Sequence, residues 1–336
     1  MNKISRILAL VVFAVVSSVY IVTMEPTVGF IDSGELSLAC AEPGIAHPTG
    51  YPLYCLFGRL LKMITGLEAI LSSNLFSALA GGFTSAMIFL IASLILSSRG
   101  KGTAKKSEVI ISAACALFFA FTRTFWGTST VTEVYAFEMA LDMCALFFLL
   151  LWTKGGGSKF FILGAYLFGL SFGVHMLTIL FAPAVLFLII IERKKLDYRV
   201  FFTSIAFFII GLTIYIYLPL RSTCDPSANF GDPSTFERFF RHVSAWQYRV
   251  WMFNRPIAEL FVSLKLFGRQ LIADTTIFSI PFVIIGLIFL FRKNRTIFFF
   301  LTATFLFDVI YALNYTIPDI EAYYLPAIFV WILLVG

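Results

Sequence analysis

Apolar runs long enough to cross a lipid bilayer recur from one end of this 336-residue sequence to the other. Hydrophobic residues make up 60% of the chain and charged residues only 13%, which excludes a soluble fold. A chain in lipid must satisfy its own backbone polar groups, and no barrel-like alternation of apolar residues is visible. We therefore predict an all-α, polytopic membrane protein of about ten transmembrane helices. The predicted spans are 7–24, 70–96, 109–125, 134–152, 160–174, 177–191, 200–220, 275–291, 296–313 and 323 onward.

Basic residues cluster in the short loops on one side of these spans. By the positive-inside rule, that side is predicted to be cytoplasmic and to hold the N-terminus. The net charge of +6 is then an orientation signal, and we expect no nucleic-acid partner. No small-x-small cleavage site precedes Glu25, so the first run is interpreted as a retained signal anchor. The clustered residues are Lys3, Arg6, Arg99, Lys101, Lys105, Lys106, Lys154, Lys159, Arg193, Lys194, Lys195, Arg199, Arg292, Lys293 and Arg295.

The opposite side carries the longer loops and most of the polar motifs. All three histidines, His47, His175 and His242, are placed there by the predicted topology. The chain is therefore interpreted as one transmembrane domain, residues 1–336, with a working surface on its extracytoplasmic side. If the source is bacterial, the membrane is expected to be the plasma or inner membrane. The predicted external loops are about 25–69, 123–133, 221–274 and 314–322.

Residues 29–54, GFIDSGELSLACAEPGIAHPTGYPLY, concentrate acids, glycines and prolines directly after the first span. DSGE fits a capping box, in which Asp32 and Glu35 begin a short helix. The same i, i+3 spacing places both carboxylates on one helix face, so a chemical role fits equally well. HPTGYP contains two prolines and a glycine, which predict a stiff turn that displays His47 and Tyr51.

Six motifs in this order resemble one family over residues 30–324. They are DSGEL, HPTGYPLY, EVYAFE, GLSFGVH, YLPLRS and NFGDP. Together they are similar to the protein O-mannosyltransferase-like glycosyltransferases of the GT-C superfamily. Thr49 departs from the pattern, because the family more often has a second proline there. The sequence also stops at Gly336, 14 residues into its last predicted span, so we expect either that the sequence is a fragment or that the last helix is partial.

The resemblance implies transfer of a sugar from a polyprenyl-phosphate carrier to an acceptor hydroxyl on the outer face of the membrane. The family name suggests mannose as the sugar and protein serine or threonine as the acceptor, although a glycan acceptor also fits. The match assigns the acidic pair of the first external loop to Asp32 and Glu35, and we expect Asp32 to be the general base. The departing lipid phosphate needs cationic donors, for which Arg221, His47 and Arg123 are the candidates.

Glu138 and Asp142 lie four residues apart on one face of a predicted span. Acids in hydrocarbon are costly, so they indicate either a polar cavity or a structural ion pair. His175 is either a cavity residue or a packed core histidine. The aromatic segment 236–253 predicts an amphipathic surface helix, and Asp319 and Glu321 are lesser acid candidates. The predicted acceptor- and sugar-binding residues are Tyr51, Glu133, Tyr135, Glu138, Asp142, His175 and Trp246.

A transporter or flippase for a lipid-linked or small anionic substrate is the alternative function. Such a protein concentrates ionisable residues near the middle of the membrane on broken helices, whereas most ionisable residues here fall in external loops. No cofactor is predicted, and transfer from a lipid monophosphate is expected to proceed without a metal, although the carboxylates leave a divalent cation open. The expected partners are the lipid bilayer, the lipid-linked donor and the acceptor.

Overall fold

The computed structural model describes residues 3–97 and 105–336 of the chain. Within these two ranges the secondary structure is helical, with two isolated β-bridges and no β-strand. The predicted all-α fold class is therefore confirmed. Arg99 and Lys101, two members of the predicted cytoplasmic charge cluster, lie outside the described residues.

Sixteen α-helices and five 3₁₀ segments follow one another along the described residues. The α-helices are α1 Lys3–Thr23, α2 Ser33–Ala41, α3 Pro52–Thr65, α4 Ala69–Leu96, α5 Lys106–Ala120, α6 Arg123–Ser129, α7 Tyr135–Thr153, α8 Ser158–Ser171, α9 Ala182–Ile191, α10 Tyr198–Leu212, α11 Tyr217–Ser222, α12 Phe236–Val243, α13 Ile257–Thr275, α14 Ser279–Lys293, α15 Arg295–Leu313 and α16 Leu325–Val335. The 3₁₀ segments are Met176–Phe181, Arg193–Lys195, Thr213–Ile216, Trp246–Trp251 and Ile320–Tyr324.

Five apolar helices are long enough to cross a membrane: α1, α4, α7, the continuous segment Tyr198–Ser222, and α15. Counting each bent pair as one span raises the number to seven, because α5 and α6 meet at 66° and α13 and α14 at 95°. The remaining apolar segments, at α8, α9 and α16, are shorter than a full span. The chain is thus a multi-pass membrane protein, and the count of about ten spans stays a prediction.

Helix α4 lies at the centre of the bundle, where it packs against α1, α5 and α7. Small residues on α4 allow this close approach, as is common between helices in membranes. A Cβ atom added at Gly82 would lie 2.0 Å from the Ser17 hydroxyl oxygen of α1, so a larger residue there would displace the Ser17 side chain. At Gly81 the same addition would meet Ser129 at 2.5 Å. The close packing fixes the end of the bundle on which the α2–α3 loop rests.

The loop between α2 and α3 is hydrogen-bonded to the loop that follows α11. The Ile45 amide donates to the Ala228 carbonyl at 2.7 Å, and the Tyr217 hydroxyl donates to the Gly44 carbonyl at 2.9 Å. The Arg221 guanidinium donates to the Pro43 carbonyl. These bonds join the α2–α3 loop to α11 and to the segment that follows it, and residues of the α2–α3 loop line a cavity.

The aromatic segment predicted as one amphipathic helix divides into two elements. Helix α12 ends at Val243, and the 3₁₀ segment Trp246–Trp251 follows after Ala245, whose φ is +51°. The left-handed backbone at Ala245 changes the chain direction, because a helix cannot continue through it. The prediction of a single helix is therefore wrong, and the second element turns toward the cavity.

Candidate active site

A cavity of about 360 Å³ opens where the α2–α3 loop meets the 3₁₀ segment Trp246–Trp251 and the loop after α15. Its carboxylates and histidines are Asp32, Glu35, Asp319, His47 and His175. The aromatic part of the lining comprises Tyr51, Tyr135, Tyr248, Trp251, Tyr311, Tyr315 and Tyr323. Among the described residues, no lysine or arginine lines the cavity. The lining therefore combines acid–base groups with aromatic faces.

His47 lies between the two carboxylates that the sequence predicted to act together. Its backbone N–H donates to Glu35 Oε1 at 2.5 Å, and its Nδ1 lies 3.1 Å from the same oxygen. On the other edge of the ring, Nε2 lies 2.8 Å from the Tyr51 hydroxyl and 3.7 Å from Asp32 Oδ2. The predicted capping box is wrong, because Asp32 makes no side-chain cap to α2 and Glu35 binds His47 instead.

Electrostatics distinguishes the roles of Asp32 and His47. Burial raises the pKa of the Asp32 carboxyl, and although the nearby His47 charge lowers it, the net shift is upward. Burial alone would lower the pKa of His47, but the hydrogen bond and charge of Glu35, with the charges of Asp32 and Asp319, raise it above its usual value. The arrangement therefore favours a protonated imidazole held by Glu35 and a carboxylate at Asp32 of greater than usual basicity.

His175 forms the opposite wall of the cavity. Its ring stacks on Tyr51, with centroids 5.6 Å apart and ring planes at 19°. The Leu177 backbone N–H donates to His175 Nδ1 at 3.2 Å, and Glu138 Oε2 lies 3.6 Å from the same nitrogen. Glu138 is 3% exposed and does not line the cavity. It therefore lies behind His175 and faces the interior of the bundle.

Asp142, predicted together with Glu138 as a sugar-binding residue, is also enclosed by protein. Its carboxylate accepts hydrogen bonds from the Ser171 hydroxyl at 2.7 Å and from the Thr178 hydroxyl at 3.1 Å. These bonds join α7 to α8 and to the 3₁₀ segment Met176–Phe181. Asp142 is 1% exposed and does not line the cavity. Its contacts are those of a residue that holds helices together.

The loop after α15 closes the cavity with groups that sequence reasoning ranked low or missed. The Tyr135 hydroxyl donates to Asp319 Oδ2 at 2.6 Å. Tyr323 presents its edge to His175, with centroids 5.7 Å apart, and packs against Tyr315. The signal available in the sequence was the tyrosine-rich segment NYTIPDIEAYYLP, but its periodicity does not show which rings turn inward.

The remaining predicted residues lie near the cavity without lining it. Arg221 binds the Pro43 carbonyl, and Arg123 is exposed, with Glu321 3.9 Å away. Trp246 stacks under the Arg249 guanidinium, 3.9 Å from its ring centre, while Tyr248 and Trp251 of the same segment line the cavity. Glu133 lies just before α7, where burial and the charges of Asp32 and Asp319 raise the pKa of its carboxyl.

Three side chains of the cavity could together hold a metal ion. Asp32, Glu35 and His47 each offer one ligand atom, and these atoms lie within 4.8 Å of one another. Two carboxylates and an imidazole suit a divalent transition metal better than calcium or magnesium, which prefer oxygen ligands. The alternative use of the same atoms is the hydrogen-bonded acid–base array described above. Metal-independent action stays a prediction.

Comparison with known proteins relates these motifs to one family. The family model for the protein O-mannosyl-transferase TMEM260 N-terminal domain matches residues 32–198. The mouse protein O-mannosyl-transferase TMEM260 is 27% identical over 268 residues, which cover 77% of this chain and 37% of that protein. A Dictyostelium discoideum protein of the same description is 23% identical over 294 residues, or 80% of this chain and 35% of that protein. The chain thus spans little more than a third of the length of these curated relatives.

A solved structure has a similar fold over nearly the whole chain. It is the crystal structure of ArnT from Cupriavidus metallidurans bound to undecaprenyl phosphate. The TM-score is 0.66 at 13% sequence identity, and the match covers 98% of this chain and 59% of ArnT. The fold is therefore the GT-C fold, and the resemblance to a protein O-mannosyltransferase-like GT-C family is confirmed.

Proposed function

We propose that this chain, a GT-C protein of the protein O-mannosyltransferase-like family, moves a sugar from a polyprenyl-phosphate carrier to an acceptor hydroxyl beside Asp32. The observation that carries the proposal is the position of Asp32, whose side chain is 34% exposed in an acid- and aromatic-lined cavity at one end of the bundle. The names of the relatives support mannose as the sugar and a protein hydroxyl as the acceptor. Undecaprenyl phosphate in the ArnT structure supports a lipid-linked donor.

Asp32 is the proposed general base. A hydroxyl is a poor nucleophile, and a carboxylate within hydrogen-bond reach increases its reactivity by accepting the proton as the C1–O bond to phosphate breaks. Burial raises the pKa of Asp32, which makes its carboxylate a stronger base than one in water. No hydrogen bond to another described residue is made by the Asp32 side chain, so its oxygens are available to an acceptor.

Glu35 positions His47, and a protonated His47 adds positive charge to the cavity. Glu35 Oε1 contacts both the His47 backbone N–H and ring Nδ1, and this leaves Nε2 facing Tyr51 and Asp32. A protonated His47 beside Asp32 keeps the carboxylate ionised, and it adds positive charge to a cavity that must accept a phosphate. Trp251 and Tyr248 offer flat apolar faces against which a sugar ring can pack. We propose that this cavity faces the extracytoplasmic side.

The experiment is a transfer assay with the purified full-length protein in lipid nanodiscs. Radiolabelled sugars on polyprenyl phosphate are supplied with hydroxyl acceptors, and product is counted for wild type, Asp32→Asn and Asp225→Asn. We expect Asp32→Asn to lower turnover by about 10²–10⁴-fold, the usual contribution of a general base. Asp225, an exposed aspartate outside the cavity, is the matched control and should retain wild-type turnover.

Two results would contradict the proposal. Wild-type turnover in Asp32→Asn would remove this residue from the reaction. Absence of transfer with every polyprenyl-phosphate sugar, together with movement of the labelled lipid between leaflets, would favour the transporter or flippase instead. Movement of the labelled lipid is measured with the same purified protein reconstituted into sealed vesicles.

A further inference from the structure

The cavity contains no arginine or lysine among its described lining residues, although the proposed reaction creates negative charge on a phosphate. Arg221 and Arg123, the predicted phosphate ligands, have protein partners outside the cavity. The charge that develops in such a reaction is usually stabilised by hydrogen-bond donors already fixed in place. A donor for the phosphate must therefore be sought among the residues that do line the cavity.

His175 presents a hydrogen-bond donor to the cavity because its other nitrogen is occupied. The Leu177 backbone N–H donates to Nδ1 at 3.2 Å, so Nδ1 is the acceptor nitrogen of the ring. In the neutral imidazole the proton is then carried by Nε2. Within the described part of the chain, Nε2 has no hydrogen-bond partner, and His175 lines the cavity. The backbone therefore selects the tautomer whose N–H is free for a ligand.

Aromatic neighbours hold the His175 ring in one orientation. Tyr51 stacks on its face, Tyr135 lies 5.5 Å away between ring centres, and Tyr323 meets it edge-on. A rigid ring loses little entropy when a ligand binds, which favours a preorganised donor.

Glu138 lies behind the ring and completes this arrangement. Its Oε2 is 3.6 Å from His175 Nδ1, and its Oε1 is buried without a hydrogen-bond partner in the described residues. A buried acid with an unsatisfied oxygen is costly and calls for a specific role. Glu138 therefore contacts the edge of the ring away from the free Nε2, where it can hold the ring in position.

We propose that His175 Nε2–H donates a hydrogen bond to the lipid phosphate as it departs, and that Glu138 is a positioning residue that contacts the ring from behind. This inference rests on the proposed function. In the step, the acceptor O–H proton moves to Asp32, the acceptor oxygen bonds to sugar C1, and the C1–O bond to phosphate breaks. The electron pair of that bond stays on the phosphate oxygen, and the dianionic lipid phosphate is held by His175.

The test compares binding of a polyprenyl phosphate with binding of the polyprenol of the same chain length to the nanodisc-embedded protein. The difference between the two isolates the phosphate contact. We expect His175→Phe, which keeps an aromatic ring on Tyr51, to weaken phosphate binding by roughly 10- to 100-fold and to leave polyprenol binding unchanged. His175→Gln, which retains an N–H near the position of Nε2, should recover part of the affinity. Arg123→Gln should bind phosphate as wild type does.

The outcomes separate this inference from the proposed function. If wild type binds the phosphate more tightly than the alcohol and His175→Phe does so equally well, the His175 assignment is overturned while the proposed function stands. If Arg123→Gln loses the preference instead, the phosphate lies outside the cavity and the assignment also fails. If wild type has no preference for phosphate over alcohol, both the assignment and the proposed lipid-phosphate donor are contradicted.

Variants at Glu138 test the positioning role. Glu138→Gln keeps the size of the side chain and removes its charge, whereas Glu138→Asp keeps the charge and shortens the side chain. We expect the preference for phosphate to fall roughly 3- to 10-fold in Glu138→Asp, which withdraws the side chain from the ring, and less in Glu138→Gln, which keeps its length. The reverse order, or no change in either variant, would contradict the positioning role. Thermal unfolding of each variant, followed in parallel, confirms that the protein is folded.

Discussion

Two groups of acids lie in this bundle, and they differ in their access to water. Asp32 and Glu35 line the cavity with side chains that are 34% and 18% exposed. Glu138, Asp142 and Asp308 are each at most 3% exposed and lie within helices of the bundle. The first group faces a space that a ligand can enter, and the second faces other helices.

The partners of the two groups show what this difference means. Asp142 accepts two hydroxyl hydrogen bonds, and Asp308 Oδ2 accepts from the Ala327 backbone N–H at 3.0 Å, at the start of α16. These oxygens bind other parts of the bundle, whereas Glu138 Oε1 and Asp308 Oδ1 are buried without a hydrogen-bond partner among the described residues. Glu35 and Asp32 instead share His47, and Asp32 keeps oxygens free for an acceptor. Whether an acid can take part in a reaction or only holds helices together therefore depends on its access to the cavity more than on its residue type.

Among substitutions of the cavity acids, Glu35→Gln is expected to have the largest effect on turnover after Asp32→Asn. The substitution removes the charge that holds His47 protonated, while glutamine can still accept from the His47 backbone N–H. We expect turnover to fall by about 10- to 100-fold with little change in the unfolding temperature. Steady-state transfer kinetics and thermal unfolding provide the two measurements. Glu42→Gln, at an exposed acid outside the cavity, is the control, and equal losses in both variants would contradict the comparison.

Substituting a buried acid is expected to lower stability moderately and to leave turnover nearly unchanged. Asp142→Ala leaves the Ser171 and Thr178 hydroxyls without their acceptor. The free energy of unfolding should fall by about 1–3 kcal/mol, while turnover per folded molecule changes little. Resistance to denaturation in mild detergent is measured beside transfer activity. A large loss of turnover at unchanged stability would assign Asp142 to the chemistry and remove the distinction between the two groups.

The smallest expected effect is a shift in the pH at which kcat/KM falls on the acid side of its profile. Asp32 must be ionised to accept a proton, and its pKa is raised, chiefly by burial, so kcat/KM should fall at a higher pH than an ordinary aspartate would give. His47 lowers the pKa of Asp32 and Asp319 raises it. His47→Gln should therefore move the acid limb to higher pH, and Asp319→Asn should move it to lower pH. Shifts of both variants in the same direction would mean that another group controls the profile.

Local sequence patterns predicted each half of the α2–α3 part of the candidate site. DSGE predicted that Asp32 and Glu35 would share one helix face, HPTGYP predicted that a stiff turn would display His47 and Tyr51, and all four line the cavity. Turn residues and helical spacing act over a few positions, so each pair could be predicted but the meeting of the two pairs could not. The capping box failed because a nearby imidazole and amide competed for the Glu35 oxygen.

Contacts between distant segments could not be predicted from one sequence. The partner of Arg221 is a backbone carbonyl 178 residues earlier, which no side-chain pattern marks. Tyr248 and Trp251 line the cavity and Trp246 does not, after a chain turn at Ala245, although alanine carries no turn signal. The bend between α13 and α14 falls near Thr276, whose φ is +63°, and threonine does not predict such a backbone.

The hydrogen bonds between the α2–α3 loop and the segment after α11 also constrain how the protein is made. Pro43 and Gly44 emerge early from the ribosome, but Arg221 and Tyr217, which bind their carbonyls, are translated much later. A nascent chain that ends within α7 therefore lacks the residues that bind the Pro43 and Gly44 carbonyls. The α2–α3 loop gains these contacts only after α11 has been synthesised.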